Sequence, residues 1–375
     1  MHPRHRRPLL THLLRCTLLA TAAATLASCR GVPEIVVSTA PASGSMRTIA
    51  SGDRQWTGIT TTADGRVFVC YPRWGGVMPF SVGELRPDGS VVPYPADLRW
   101  QSWEPGNDPA DRFVCVQSVV ADGQGYLWAL DAGNPEFKGV VPGAPKLVQI
   151  DLASNSVVRT IQFAPQATPP GAYLNDIRFD PANNAAYISD SGTGAILVLN
   201  TRTGRMLRRL ENDPSTHAQR IPLVIDGKPW LRDGRTPMVH VDGIAFDPQR
   251  SLLYYQALTG ETLYCIPASA LRDETLNESE LSARVRAVGT TGPADGLAFG
   301  PDGRVYITSI CDNAIKAFDP ATNTLSTIVQ GHELRWPDSI AMRPDGEMLV
   351  TTAQINRGPN PGEPYHVLLV QPERK

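Results

Sequence analysis

Beyond residue 27 the chain has no long hydrophobic run, and no stretch of helical period except near residues 269–281. A helical architecture is thereby excluded. The chain also lacks paired cysteines. Cys70, Cys115, Cys265 and Cys311 stand apart with no C-x-x-C among them, which excludes a zinc site of the usual spacing. An excess of positive charge is missing too. Setting aside the four arginines of residues 1–28 (35 less four), 31 basic residues face 37 acidic ones, a balance of −6. No basic face is available to neutralise phosphates, so nucleic acid is excluded as a partner. Neither a G-x-S-x-G elbow nor an H-E-x-x-H helix occurs, and no serine stands in a triad context. What the chain does have is 32 glycines and 33 prolines between short apolar runs. That is the composition of an all-β protein with many short strands and turns.

The first 28 residues read as an export signal. Arg4, Arg6, Arg7 and Arg15 make a positive start, and the apolar stretch over residues 16–27 is too short to span a bilayer. It ends in Leu26-Ala27-Ser28-Cys29, similar to a bacterial lipoprotein box. The expectation is cleavage before Cys29 and lipidation of its thiol, which anchors the chain to a membrane of the cell envelope. An ordinary signal peptide with an incidental Cys29 is the alternative. Residues 29–51, rich in Ser, Ala, Gly and Pro, read as a tether, and residues 52–375 as the folded body.

Within that body one pattern recurs six times. Thr57-Gly58-Ile59, Gln117-Ser118-Val119, Asn175-Asp176-Ile177, Asp242-Gly243-Ile244, Asp295-Gly296-Leu297 and Asp338-Ser339-Ile340 each precede a turn with Asp, Pro or Gly and then an alternating apolar strand. The apolar anchors are spaced by 60, 58, 67, 53 and 43 residues, room for four strands each. Second hairpins follow in several repeats, around Ser154-Asn155, Thr203-Gly204 and Thr322-Asn323. Two hairpins per repeat make a blade, and the reading is a six-bladed β-propeller. The sixth repeat lacks its fourth strand. Residues 34–38, Glu34-Ile35-Val36-Val37-Ser38, are a candidate to close the ring by zipping onto the last blade; otherwise they end the tether. Cys70 and Cys115 are candidates for a disulfide in an exported protein, the alternative being four buried free thiols.

Propeller geometry gathers the starts of the inner strands around one opening of the channel. Gln117, Asn175, Asp242, Asp295 and Asp338 are therefore expected together, rimmed by Asp131, Asp190 and Asn313 from loops after second strands. His240 precedes Asp242 by two, so strict alternation sends both to one face. Carboxylates crowded in a narrow channel repel one another, and a raised pKa, a cation or a ligand ammonium must compensate. The same side chains serve equally well as caps for strand starts, binding backbone amides or channel water. Two long insertions, residues 100–112 with Trp100 and Trp103 and residues 212–239 with Trp230, are candidate lids. Trp230 either stacks on an aromatic or cationic ligand or pins its loop.

In order along the chain, several motifs carry a resemblance. They are Pro72-Arg73-Trp74, Tyr126-Leu127-Trp128-Ala129-Leu130-Asp131-Ala132-Gly133, Pro145-Lys146-Leu147, Tyr173-Leu174-Asn175-Asp176, Ser189-Asp190-Ser191-Gly192, Asp242-Gly243-Ile244, Asn313-Ala314-Ile315 and Trp336-Pro337-Asp338. From about residue 55 to 370 the chain resembles the bacterial branch of the major royal jelly and Yellow protein family. The resemblance implies a six-bladed propeller. Relatives described as dopachrome tautomerases, as carriers of biogenic amines and as secreted nutritive or structural proteins leave the activity open. The leading expectation is a monomeric protein that binds a small aromatic or cationic molecule and needs no cofactor. It is a candidate isomerase, with Asp242, Asp295 or His240 moving the proton. A metal-assisted lactone hydrolase using Asn175, Asp242 and Asp295 is a rival by fold analogy. Repeat one weakens it, offering Trp56, Thr57 and Gly58 where lactonase-type propellers carry a glutamate. A non-enzymatic envelope scaffold is a third reading.

Overall fold

The repeats form hairpins because their turn residues accept left-handed backbone. Asn155, Gly204 and Asn323 sit at φ of 53°, 78° and 55° in the second hairpins of the second, third and fifth repeats. The computed structural model describes residues 31–75, 78–358 and 360–373. It is a six-bladed β-propeller; blades one to four are four-stranded antiparallel sheets in chain order from the axis outward, whereas blades five and six each take their outermost strand from the N-terminal part of the chain. The inner strands of blades one to six are Ile59–Thr61, Val116–Ala121, Leu174–Asp180, Val241–Asp247, Ala294–Phe299 and Pro337–Met342. The helical stretch expected near residues 269–281 resolves into two single-turn helices, Ala268–Arg272 and Glu278–Ser282, on the outside of blade four.

Ring closure is achieved by a different segment from the one the sequence suggested. Ser45–Gly52, all but its last residue assigned above to the tether, is the outer strand of blade six and pairs antiparallel with Tyr365–Gln371. Val36–Val37 instead adds a fifth, parallel strand to blade five, beside Thr324–Gln330. Ile35 fixes that register: it is buried where Gly289 leaves room, since a Cβ on Gly289 would lie 2.2 Å from its Cγ1. The apolar run that looked like a closing strand is therefore a clasp on the neighbouring blade, and the folded body begins well before residue 52. The signal segment and Cys29 lie outside the described residues.

Each blade buries both faces only against its neighbours, and the apolar residues fall into one cluster per interface. Phe68 and Leu127 join blades one and two; Trp128 and Ile188 join two and three; Tyr187 and Leu253 join three and four. Tyr254 with Ile307, Tyr306 with Val350, and Val69 with Leu349 complete the circuit. The last cluster lies between blades six and one, so the ring is closed. Cys70, Cys115, Cys265 and Cys311 are all free thiols. Cys70 Sγ meets the Gln117 carbonyl at 3.2 Å and Cys115 Sγ lies 3.6 Å from the Tyr173 hydroxyl. Burial pushes both thiols up to about 12, so they pack as small apolar groups.

Candidate functional site

The side chains at the channel owe their direction to a repeated irregularity. In blades two to six the pairing of the inner strand with its neighbour slips between Val116 and Ser118, Leu174 and Ile177, Val241 and Ile244, Ala294 and Leu297, and Pro337 and Ile340. Each slip is a bulge, and it holds Gln117, Asn175, Asp242, Asp295 or Asp338. The residue after the polar one is small where neighbouring blades come closest. A Cβ on Gly243 would stand 2.3 Å from the Asp295 carbonyl oxygen, and one on Gly296 2.3 Å from that of Asp338. Hydroxyls of second strands satisfy carbonyls exposed by this geometry: Ser189 donates to the Asp242 carbonyl at 2.6 Å and Thr308 to that of Gly296 at 3.1 Å.

The five polar side chains converge as expected, at the end of a cavity of about 530 Å³. All but Asp338 are linked by hydrogen bonds or close contact around the axis. Trp74 Nε1 donates to the Tyr173 hydroxyl, and that hydroxyl donates to Gln117 Oε1 at 3.0 Å. Gln117 Nε2 donates to Asn175 Oδ1 at 3.1 Å, and Asn175 Nδ2 to Asp242 Oδ2 at 2.8 Å. Asp242 and Asp295 stand close enough to shift each other's titration, and Trp336 Nε1 donates to Asp295 Oδ2 at 2.6 Å. Asp338 accepts from Ser339 Oγ at 3.0 Å.

Asp242, Asp295 and Asp338 are buried, and no described Lys or Arg pairs with them. Burial pushes all three carboxyls up, and their mutual repulsion adds to it for Asp242 and Asp338. Asp242 and Asp338 rise well above the ordinary carboxylate range and Asp295 to about 7. Asp242 and Asp295 each affect the other's ionisation, so the pair titrates as a unit. Below them Asp176 is pushed up by burial and partly offset by Arg178 at 3.1 Å. Arg178 also donates across the channel to the Leu297 carbonyl at 2.6 Å.

The cavity walls are aromatic. Phe137 stacks between Trp74 and Tyr173, with ring centroids 5.6 and 4.8 Å away. Opposite, Trp230 meets Trp336 edge-on at 4.8 Å. Trp230 is held by an apolar cluster with Leu223, Ile225 and Leu258, so it pins its insertion and lines the cavity at once. Of the two candidate lids only residues 212–239 reach the site. Trp100 packs on Phe113 and Trp103 lies beneath the Arg73 guanidinium, away from the cavity.

Four expected site residues lie elsewhere. Asp131 is sealed in blade two, paired with Lys146 at 2.9 Å and accepting the N–H groups of Val114, Cys115 and Gly133. Asp190 likewise accepts the N–H groups of Tyr173, Gly192 and Thr193 and pairs with Arg208 at 2.9 Å. Asn313 donates to Asp226 at 2.7 Å and tethers the lid insertion. His240 does not line the cavity with Asp242, because the bulge ends the alternation on which that expectation rested. Its ring packs on His217 with centroids 4.8 Å apart, and its Nδ1 accepts the Ala218 N–H at 3.0 Å. Burial first, then His217, lowers its pKa against the pull of Asp190.

Sequence reasoning passed over Gln55, Trp74, Phe137, Tyr173, Arg232 and Trp336. A signal existed for three of them: Trp74 stands in the Pro72-Arg73-Trp74 motif, and Tyr173 and Trp336 stand two residues before Asn175 and Asp338, the spacing noticed only for His240. Phe137 had none. It owes its place to a loop in which Glu136 and Phe137 both adopt φ of 56°. Among the described residues no group of three or more His, Cys, Asp and Glu is arranged to hold a metal ion. Asn175 moreover turns its amide nitrogen, not its oxygen, toward Asp242. The donor set does not fit a divalent ion.

Among solved structures the fold is shared with a luciferin-regenerating enzyme (TM-score 0.54, 11% identity, covering 88% of this chain and 95% of that one). A gluconolactonase of Xanthomonas campestris (0.53, 12%, 92% and 99%) and a calcium-binding regucalcin of Agrobacterium tumefaciens (0.52, 14%, 91% and 98%) share it too. At such identities the likeness is one of architecture alone. By sequence the chain is similar to Protein yellow of Drosophila madeirensis, 24% identical over 233 residues, 57% of this chain and 39% of that protein. Protein yellow of Drosophila melanogaster is 23% identical over the same length, 57% of this chain and 41% of that protein. The match thus spans about two fifths of the Yellow proteins' length. The model of the family described as major royal jelly protein matches residues 114–358. That stretch runs from the second blade past the start of the sixth and holds every acid of the channel site, and the chain belongs to the major royal jelly protein family.

Proposed function

We propose that this protein is an exported, lipid-anchored binding protein for a small aromatic cation. The ammonium group sits on Asp242, Asp295 and Asp338, and the ring lies against Trp74, Phe137, Tyr173 and Trp230. The observation that carries this reading is the set of three buried carboxyls facing one cavity without a described cation of their own. A ligand ammonium would supply the missing charge and let the acids ionise, while the aromatic walls favour a flat, positively charged guest. The Asp242–Asp295 pair also suits a proton-transfer isomerisation. A carboxyl near 7 gives and takes protons close to neutrality, so this pair is the candidate shuttle.

Calorimetry with a panel of aromatic amines and catechols tests the site. The wild type binds at least one aromatic amine, and Asp242→Asn combined with Asp295→Asn weakens that binding about tenfold or more. Identical affinity in both proteins removes the assigned site. The anchor is tested separately: mass spectrometry of the mature N-terminus should find diacylglyceryl-modified Cys29, and an unmodified Cys29 overturns it.

A further inference from the structure

We propose that the ligand is dipolar, with an anionic group at the end of its ring opposite the ammonium, and that Arg232 is the residue that recognises it. This inference rests on the amine-binding reading above and adds the second half of the ligand.

The charges in the cavity are separated by depth. The acids are buried at its inner end, whereas Arg232 is exposed and lines its outer part, the one cation among the described lining residues. Its guanidinium stands 5.4 Å from the centroid of the Phe137 ring. The acid on the same lip is already neutralised, since Glu136 pairs with Lys138 at 2.6 Å. Arg178, Arg208 and Lys146 are likewise committed to Asp176, Asp190 and Asp131. Arg232 has no carboxylate partner among the described residues.

Its backbone is held in place. Arg232 and Arg235 bridge each other across a tight turn, with N–H to carbonyl distances of 2.8 and 3.1 Å, and Asp233 and Gly234 at φ of 51° and 74° make the reversal. Two residues earlier Trp230 is anchored on Trp336. On the same lip, Glu136 and Phe137 hold two successive left-handed conformations. Each costs on the order of 1 kcal/mol or more, and such costs concentrate at ligand clamps. A cation fixed over one exposed aromatic, opposite an acidic floor, is a site for a planar molecule charged at both ends.

The cavity's size sets which molecules qualify. A roughly round space of this volume is on the order of 10 Å across. An α-amino acid carries both charges on one carbon and cannot reach floor and lip together. A ring that separates them can.

The test compares benzylamine, benzoate and 4-(aminomethyl)benzoate by calorimetry on wild type and Arg232→Gln. The Arg232 side chain makes no described hydrogen bond, so the variant should melt like wild type. The wild type should bind 4-(aminomethyl)benzoate about tenfold more tightly than benzylamine, and Arg232→Gln should erase that advantage while leaving benzylamine unchanged. Equal affinity for the two ligands, or an advantage that survives in the variant, overturns the dipolar ligand but leaves the amine site standing. Failure of benzylamine and 4-(aminomethyl)benzoate alike overturns both. Arg232→Lys separates charge from shape: partial rescue supports a point-charge contact with the carboxylate, and affinities shifted equally for all three ligands point to lid packing and overturn the assignment.

Discussion

Two sets of buried aspartates lie near the same end of this propeller, and they are opposite in kind. Asp131 and Asp190, at the ends of second strands, are completely buried and completely satisfied. Each accepts three backbone N–H groups and a cation, Lys146 or Arg208. Asp242, Asp295 and Asp338, at the starts of inner strands, are about as buried. Their partners are an amide, an indole, a hydroxyl and one another. Burial alone therefore says nothing about role. A buried carboxylate with its own cation is a structural pin, and a buried cluster without one is a stored cost that the fold retains for a reason outside itself.

The sharpest way to break this comparison is to convert the first kind into the second. Lys146 is fully buried, with its Nζ on Asp131 and the Ala144 carbonyl. Lys146→Met leaves Asp131 charged and unpaired and should cost about 3–5 kcal/mol in denaturant unfolding. A loss below about 1 kcal/mol would mean that the three backbone N–H groups suffice, and that Asp131 does not differ from the channel acids in the way argued.

The sequence could not separate the two sets, because it shows residue types and spacing, not partners. Asp131 and Asp190 sit at matching places at the ends of second strands, and nothing local says that Lys146 from the third strand of one blade or Arg208 from the fourth strand of the other will be folded onto them. The propeller itself was legible: six apolar anchors in phase with turn residues leave few alternatives, and the convergence of the polar residues before them followed from the ring. The closing strand was not. Val36 and Val37 are apolar and β-branched but exposed, whereas Ser45–Gly52 is largely polar and pairs through its backbone, which hydrophobic patterning cannot register. His240 failed for a related reason. Alternation assumes a regular strand, and the bulge that aims Asp242 at the channel is invisible in the side-chain pattern. The aromatic wall was half legible, through the motifs holding Trp74, Tyr173 and Trp336, but Phe137 and Arg232 came from irregular loops whose conformation no periodicity records.

The converse experiment removes a charge from the second set. Asp295 holds its proton up to about 7 in the folded protein, against about 3.9 in an unfolded chain. A carboxyl whose folded pKa is raised contributes stability below its unfolded value and loses it as pH climbs through the folded one. Wild type should therefore weaken between about pH 4 and pH 7 by this route. Asp295→Asn cannot ionise, and its amide can serve both neighbours, with its oxygen accepting from Trp336 Nε1 and its nitrogen donating to Asp242. Thermal and urea unfolding should find the variant close to wild type at pH 4 and more stable at pH 8, by on the order of 2 kcal/mol. That is about half of what three pKa units supply, because part of the shift belongs to neighbours that stay titratable. The corresponding change in the first set, Asp131→Asn, should destabilise at both pH values. If Asp295→Asn also destabilised at pH 8, the channel acids would be structural pins like Asp131, and the case for a ligand ammonium over them would fall with the comparison.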